Sequence, residues 1–415
     1  MARKNFSRFI TANAPEHFDP LREPGMRFSP LRRGVNRQFP STLRAGFLLM
    51  CSVLLGVGLF LYGKSLGFAA TKEQQSESRS TPAAHVLHNE FASEHWEFTA
   101  RFDSGHLLFV HFLITNIGWG DHNAAMIGHV VTPDGHTHRF GSSRRERSLQ
   151  LSSDRRRLEV GPHILDLHDP DYHLQVNKKH IRLDLRFQAD GTTTWSEALT
   201  RSGYALDLLA AAVPVEGSLW METMNEPMTV HGTLAATHSW MQEAGSAVLV
   251  RRLEFFTLRK DFPLYGIDLI TPTGAHLRWL IVKQPGKQHL ESEAFELALA
   301  PESEPEKDPG YTVPGEIRLK SATLNGQVTL ERIVLRYDPF ARLPGPLRFL
   351  ASKVLSLNPR QVWAVSPFSL TIPPEQASTS LSPQVPAESS EQHGTGVTAI
   401  TFLNPLPDAH QIESR

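Results

Sequence analysis

The stretch Glu94–Phe140 reads EHWEFTARFDSGHLLFVHFLITNIGWGDHNAAMIGHVVTPDGHTHRF, and its periodicity decides the fold. Trp96–Phe102 alternates, placing Trp96, Phe98 and Phe102 on one side, as a half-buried strand requires. Ser104-Gly105 marks a turn, and Leu107–Asn116 is rich in β-branched and aromatic residues. Ala125–Thr132 then runs into Pro133-Asp134-Gly135, whose residues suit a hairpin turn.

The same grammar continues outward. Tyr172–Val176, Ile181–Gln188, Val248–Leu258, Gly266–Thr271 and His276–Val282 read as strands, with turns at Asp190-Gly191 and Thr273-Gly274. Gly315–Leu324, Asn325-Gly326 and Gln327–Tyr337 read as a hairpin, while Tyr204–Val213 suits helix or strand. One helix is expected at Pro346–Leu357, with Leu347, Leu350, Val354 and Leu357 on one face and Pro359 ending it. Many short strands with regular turns argue an all-β sandwich or barrel. Two β blocks are expected, 85–224 and 225–372, with the break near Met224-Asn225-Glu226-Pro227. Each suits a barrel of eight to ten strands, which encloses room for about one small apolar ligand.

The 415 residues carry 42 Lys+Arg against 43 Asp+Glu, but the charge is divided. Residues 1–44 hold nine basic and three acidic side chains, a balance of +6 that leaves −7 for the rest. Between them Ala45–Gly63 (AGFLLMCSVLLGVGLFLYG) has no charge; as a helix it spans about 28 Å, the thickness of a bilayer core. The basic flank predicts a single-pass anchor with a cytoplasmic N-terminus and the β blocks outside, periplasmic or otherwise extracytoplasmic. A cleavable signal peptide is the competing reading, since Gly67-Phe68-Ala69 offers small residues at suitable offsets. A buried core helix fits less well, as does a lipoprotein, because Cys51 lies inside the apolar run. Residues 64–84 read as a stalk, and 373–415 as a low-complexity linker and tail from which Val397–Leu403 could return as a strand.

Residues Glu94–Phe140 also resemble the first domain of a lipocalin-like family. That family includes survival-factor proteins, AttH and carotenoid 1,2-hydratase (hydroxyneurosporene synthase). The resemblance rests on the aromatic strand, the apolar strand ending in Thr115-Asn116-Ile117-Gly118, and the Asp-Gly hairpin. Ser148–Val176 continues it, and Met228–Trp240 is similar to the join between domains, with Val230-x-Gly232 and His238-x-Trp240. It implies two tandem lipocalin-like barrels and binding of a lipid or isoprenoid, with some relatives hydrating or cyclising such substrates. It also implies His238 and Trp240 as the inter-barrel site. Where hydratase-like members commonly carry an acid before this pattern, the chain has Thr237, which puts hydratase chemistry in question unless an acid elsewhere, such as Asp268 or Glu254, serves.

Thirteen of the 20 histidines lie between His85 and His180. His85-x-x-His88, His136-x-His138 and His163/His168/His173 are the spacings that bear on metal, but none is a metalloenzyme motif, and no metal or cofactor is expected. His111, on an apolar strand, needs a buried partner. With Asn116, Trp119 and His122 in the following loop, and with His238 and Trp240, it forms the candidate ligand set, packing roles being the alternative for each. Glu222 and Glu226 are nearby carboxylates of the kind loops usually leave solvated. Arg139–Arg157 holds seven arginines against Glu146 and Asp154; Arg144, Arg145, Arg155 and Arg156 would meet anionic lipid headgroups, or form a solvated hairpin.

G-x-S-x-G, P-loop and Rossmann motifs are absent, and the neutral balance gives no case for nucleic acid. The expected partners are a hydrophobic small molecule and the membrane. The sequence favours a membrane-anchored lipid- or isoprenoid-binding protein. An isoprenoid-modifying hydratase or cyclase is the alternative, and it requires a buried carboxylate beside His238 or Trp240. An envelope scaffold without ligand is the third reading.

Overall fold

The computed structural model describes residues 82–116, 121–144, 148–195, 198, 201–283, 290–301, 311, 313–322, 324–342, 359–373 and 390–403. The expected anchor, most of the stalk, Trp119, Arg145 and the helix at 346–357 lie outside them. Among the described residues no helix is long and apolar enough to cross a membrane.

The described chain is all-β. Its first sheet holds β1 (Ser93–Phe102), β2 (Leu107–Thr115), β3 (Asn123–Val131), β4 (Thr137–Arg144), β5 (Leu149–Leu151) and β6 (Arg157–Val160). It continues with β7 (His163–His168), β8 (Asp171–Lys178), β9 (Ile181–Gln188), β10 (Thr193–Thr194), β11 (Tyr204–Met221) and β12 (Met228–Met241). A short helix, α1 (Gly245–Val248), lies in the link to the second sheet. That sheet holds β13 (Arg251–Thr257), β14 (Leu264–Ile270), β15 (His276–Val282), β16 (Leu290–Ser292) and β17 (Phe295–Pro301). Then come β18 (Pro314–Ser321), β19 (Asn325–Thr329), β20 (Arg332–Tyr337), β21 (Arg360–Ile372) and β22 (Ser390–Phe402).

Both sheets follow one plan. The opening strands form an antiparallel meander, and the first strand pairs with the last: β1 with β12, β13 with β22. Each sheet curls into a nearly closed barrel. In the first, side chains help to bridge the gap: Ser142 Oγ on β4 lies 3.0 Å from Nε2 of the fully buried His163 on β7. In the second, Arg278 Nη1 on β15 donates to the Phe295 carbonyl on β17 at 3.1 Å.

Register fixes which face each residue takes. Trp96, Phe98, Ala100 and Phe102 all point into the first barrel, where Phe112, Met126, Leu174 and Leu185 fill the core. Leu253, Phe255, Ile317, Phe368 and Phe402 fill the second. A third apolar cluster joins the barrels: Phe109, Leu208 and Ala235 from one side pack with Phe256, Ile267, Trp279 and Val397 from the other. Trp195 stacks on Trp279 across this seam, and its indole N–H donates to Glu293 at 2.7 Å.

Several expectations change in detail. The chain passes between sheets at 242–250, whereas Met224–Pro227 lies in the turn joining β11 to β12. The reason is that β12 pairs along its length with β1, a contact more than 100 residues distant. Tyr204–Val213 is strand, bulged near Ala210. The return strand begins at Ser390, so residues 390–402 belong to the second barrel rather than to a tail. Asn325-Gly326 lies within β19, and the turn comes just before it, held by Ser321 Oγ and the Leu324 amide. Glycine is required there because a Cβ on Gly326 would fall 2.2 Å from the Ser369 carbonyl oxygen.

Candidate active site at the seam between the barrels

Strand alternation sends neighbouring residues of β1, β12 and β13 to opposite faces. Even positions of β1 and β12 line the first barrel; Glu97, Thr99, Ala235 and Thr237 face the second barrel instead. On β13, Leu253 and Phe255 fill the second barrel, while Arg252, Glu254 and Phe256 face back across the seam. The result is a polar core inside an apolar interface.

Arg252 is its centre. Its guanidinium bridges Glu97 of the first barrel and Glu254 of its own strand, the latter at 2.8 Å. It also donates to the Tyr204 hydroxyl at 3.2 Å, and Tyr265 donates to Glu254 Oε1 at 2.5 Å. The two carboxyls are pushed apart. Burial raises Glu254 above the usual carboxylate range and the Glu97 charge adds to this, outweighing Arg252. At Glu97 burial also raises, but Arg252 together with His111 and His95 prevails and draws it down to about 2. One acid is therefore held toward its protonated form and its partner ionised, the division of labour that acid–base sites use. Burial also lifts the Tyr204 phenol to about 12.

Two small cavities flank this core. One of about 30 Å³ is lined by Glu97, Thr237, Arg252, Glu254, Tyr265 and Trp363; that is room for a water or two. The other, about 40 Å³, shares Glu97, Thr99 and Trp363 and reaches His111 and Tyr337. Trp363 is half-buried and lies 5.6 Å from the Phe109 ring. A larger concavity of about 670 Å³ lies elsewhere, along the outward row His173, Arg186, Glu216 and His231 with Lys260. It is open and of mixed polarity, unlike the enclosed apolar chamber expected inside a barrel.

His238 and Trp240 occupy the opposite face of β12, toward the first barrel rather than the seam. His238 is fully buried and Glu94 is 1% exposed; Nε2 of His238 lies 2.8 Å from Glu94 Oε1. A buried carboxylate thus does sit beside His238. Trp96 stacks on the His238 ring at 4.6 Å, and His85 lies against Trp240 at 4.0 Å. Sequence pattern missed Glu94 and Glu97: one precedes and one interrupts the aromatic alternation, where solvated charges are ordinary.

The other candidates separate. His111 lies on the face of Phe109, and its Nε2 is 2.8 Å from His95 Nδ1, the partner a buried His needs. Burial draws His111 down, and draws His95 down to about 3. Asn116 and His122 act as a clasp: Asn116 Nδ2 donates to the Leu87 and Asn89 carbonyls, and its Oδ1 accepts from the His122 amide. Arg144 and Arg155 are exposed and Arg156 is half-buried near the β4–β6 edge. Asp268 is fully buried but bonded to Arg251, Arg278 and His276 at 2.7, 2.9 and 2.8 Å. Despite desolvation, those partners hold it below the usual range.

No protein-family model and no curated protein matches this sequence. Solved structures do match. A protein of Nitrosomonas europaea assigned as an AttH superposes with a TM-score of 0.57 at 11% identity, covering 81% of this chain and all of its own. The chain has the AttH-like tandem-barrel fold. CghA, solved with Sch210972, gives 0.50 at 11% identity, covering 80% of this chain and 97% of its own. Kievitone hydratase of Nectria haematococca gives 0.48 at 10% identity over 79% and 97%.

Proposed function

We propose that this protein is an acid catalyst acting on an unsaturated hydrophobic molecule, of isoprenoid type, held at the seam between its barrels. The observation that carries this reading is the pair of carboxyls on Arg252, one driven toward protonation and the other ionised. The Glu254 hydroxyl would give its proton to an alkene carbon, forming a C–H bond and a cation at the neighbouring carbon. The ionised Glu97 stabilises that cation. Water attacks it to form the C–O bond and returns a proton to Glu254, so water is added across the double bond; internal attack by a second alkene, with loss of a proton, gives cyclisation. In the closed seam there is space for the water, and the substrate body enters by displacing Trp363. That CghA, which is similar in fold, was solved with Sch210972 supports a ligand-holding role for this fold. We also propose that Ala45–Gly63 anchors the protein beside the membrane where such substrates dissolve; alkaline carbonate extraction would release an unanchored chain.

The test is incubation with acyclic carotenoids and shorter isoprenoids in ¹⁸O-labelled water, read by mass spectrometry. Label uptake or cyclised product that is lost in Glu254→Gln supports the reading. Equal conversion by Glu254→Gln contradicts it. Stoichiometric isoprenoid binding without conversion at any pH also contradicts it, and returns the protein to a carrier.

A further inference from the structure

We infer that His85, Glu94 and His238 form a binding site for a divalent transition-metal ion inside the rim of the first barrel. Donor atoms of the three side chains lie within 4.8 Å of one another. They come from three separate places: the segment before β1, β1 itself, and the far end of β12. Two imidazoles and a carboxylate are a donor set suited to zinc and its neighbours, with a fourth position left for water.

The hydrogen bonding around His238 supports this assignment. If its Nε2 carries the proton and donates to Glu94, Nδ1 presents a lone pair with no hydrogen-bond partner, and the nearest carboxylate, Asp207 Oδ2, is 3.9 Å away. A metal at Nε2 reverses that arrangement. The proton then sits on Nδ1 and faces Asp207, which is fully buried and itself held by Thr194 Oγ1 at 2.7 Å. This is the carboxylate–histidine–metal relay that fixes the tautomer in metal sites. Nε2 of His85 is likewise buried without a partner. Ligand atoms about 2 Å from zinc stand about 3.3 Å apart, so the cluster must tighten. His85 is placed to allow this, since it lies in irregular chain outside the sheet and is only partly buried.

The site lies on the face of β1 and β12 turned away from Glu97 and Thr237, so it is separate from the acid pair. Its role would be to tie the segment at 82–92 to the barrel mouth. That segment is already held by its His85 and Val86 amides, which donate to Glu94 at 2.8 and 3.3 Å.

The experiment is titration of the full-length protein with Co²⁺ and Zn²⁺, followed by the visible absorbance of bound Co²⁺ and by the rise in melting temperature. One ion per chain is expected, with a tetrahedral Co²⁺ spectrum. His85→Ala and Glu94→Gln should each weaken binding by about 100-fold, and Asp207→Asn by about 10-fold. The double variant His136→Ala/His138→Ala, on an exposed hairpin, should bind as the wild type does. Affinity unchanged in His85→Ala and Glu94→Gln, or loss in the hairpin variant instead, overturns the proposal. So does an octahedral Co²⁺ spectrum, or uptake without fixed stoichiometry. If Glu94→Gln does not fold, His85→Ala alone decides, because its side chain lies outside the sheet.

Discussion

Glu254 and Asp268 lie on adjacent strands of the second barrel and are equally hidden from water, yet their environments drive them in opposite directions. Asp268 points inward and is met by Arg251, Arg278 and His276. Glu254 points into the seam and shares one guanidinium with Glu97. Burial penalises charge at both; what decides is how many cations answer it. The rim of the second barrel is thus an ion cluster, and at the seam Glu254 is pushed up toward its protonated form.

Exchanging each acid for its amide should break this contrast most sharply. Glu254→Gln should lower turnover by about 10²–10⁴-fold while costing less stability than Asp268→Asn, since burial already disfavours the Glu254 charge. Asp268→Asn should do the reverse, costing about 3–5 kcal/mol in urea unfolding because Arg251 and Arg278 lose their counter-charge, with the folded fraction still active. Next in size, Arg252→Met leaves Glu97 and Glu254 without their cation and should cost about 3–5 kcal/mol at neutral pH, less under acid, by the same measurement.

The pH dependence follows from the directions of shift. Glu97 is depressed from 4.5 to about 2, so the stability it contributes is present above 4.5 and is lost as pH falls toward 2. Glu97→Gln should flatten that acid limb in chemical denaturation between those values. Glu254 is raised, so activity should fall as pH climbs through its elevated value, and stability should decline over the same window because the folded state holds the extra proton. Groups facing Glu254 are Arg252 on its own strand, Glu97 on β1, Tyr204 on β11 and Tyr265 on β14. The smallest effect belongs to Trp195→Phe, which removes the indole bond to exposed Glu293 and should cost about 1 kcal/mol in thermal unfolding.

Much of the fold was legible because strand alternation is local. Trp96, Phe98 and Phe102 announced their common face, and the Pro133-Asp134-Gly135 hairpin lies where its residues place it. The division between barrels was not legible, because β12 is assigned by pairing with β1, and no pattern within 228–241 carries that information. The seam was hidden for a similar reason. Glu97 and Arg252 read singly as the polar sides of amphipathic strands; only the meeting of two barrels, 155 residues apart in sequence, buries them together. Glu254 was visible as a spare acid, but its protonation preference depends on that meeting. His238 was singled out by the family resemblance alone, whereas its inward direction and its partner Glu94, 144 residues away, required the register of β1 on β12.

At the seam, burial raises the Glu254 carboxyl while Arg252 draws the neighbouring Glu97 carboxyl down. Carboxyl-carbon NMR of protein labelled at glutamate Cδ, assigned through Glu254→Gln and Glu97→Gln, reads both directly. The expectation is that the Glu254 resonance titrates above the ordinary glutamate value, while the Glu97 resonance stays ionised down to about pH 3. Titration of Glu254 at or below the ordinary glutamate value of about 4.3 would contradict it.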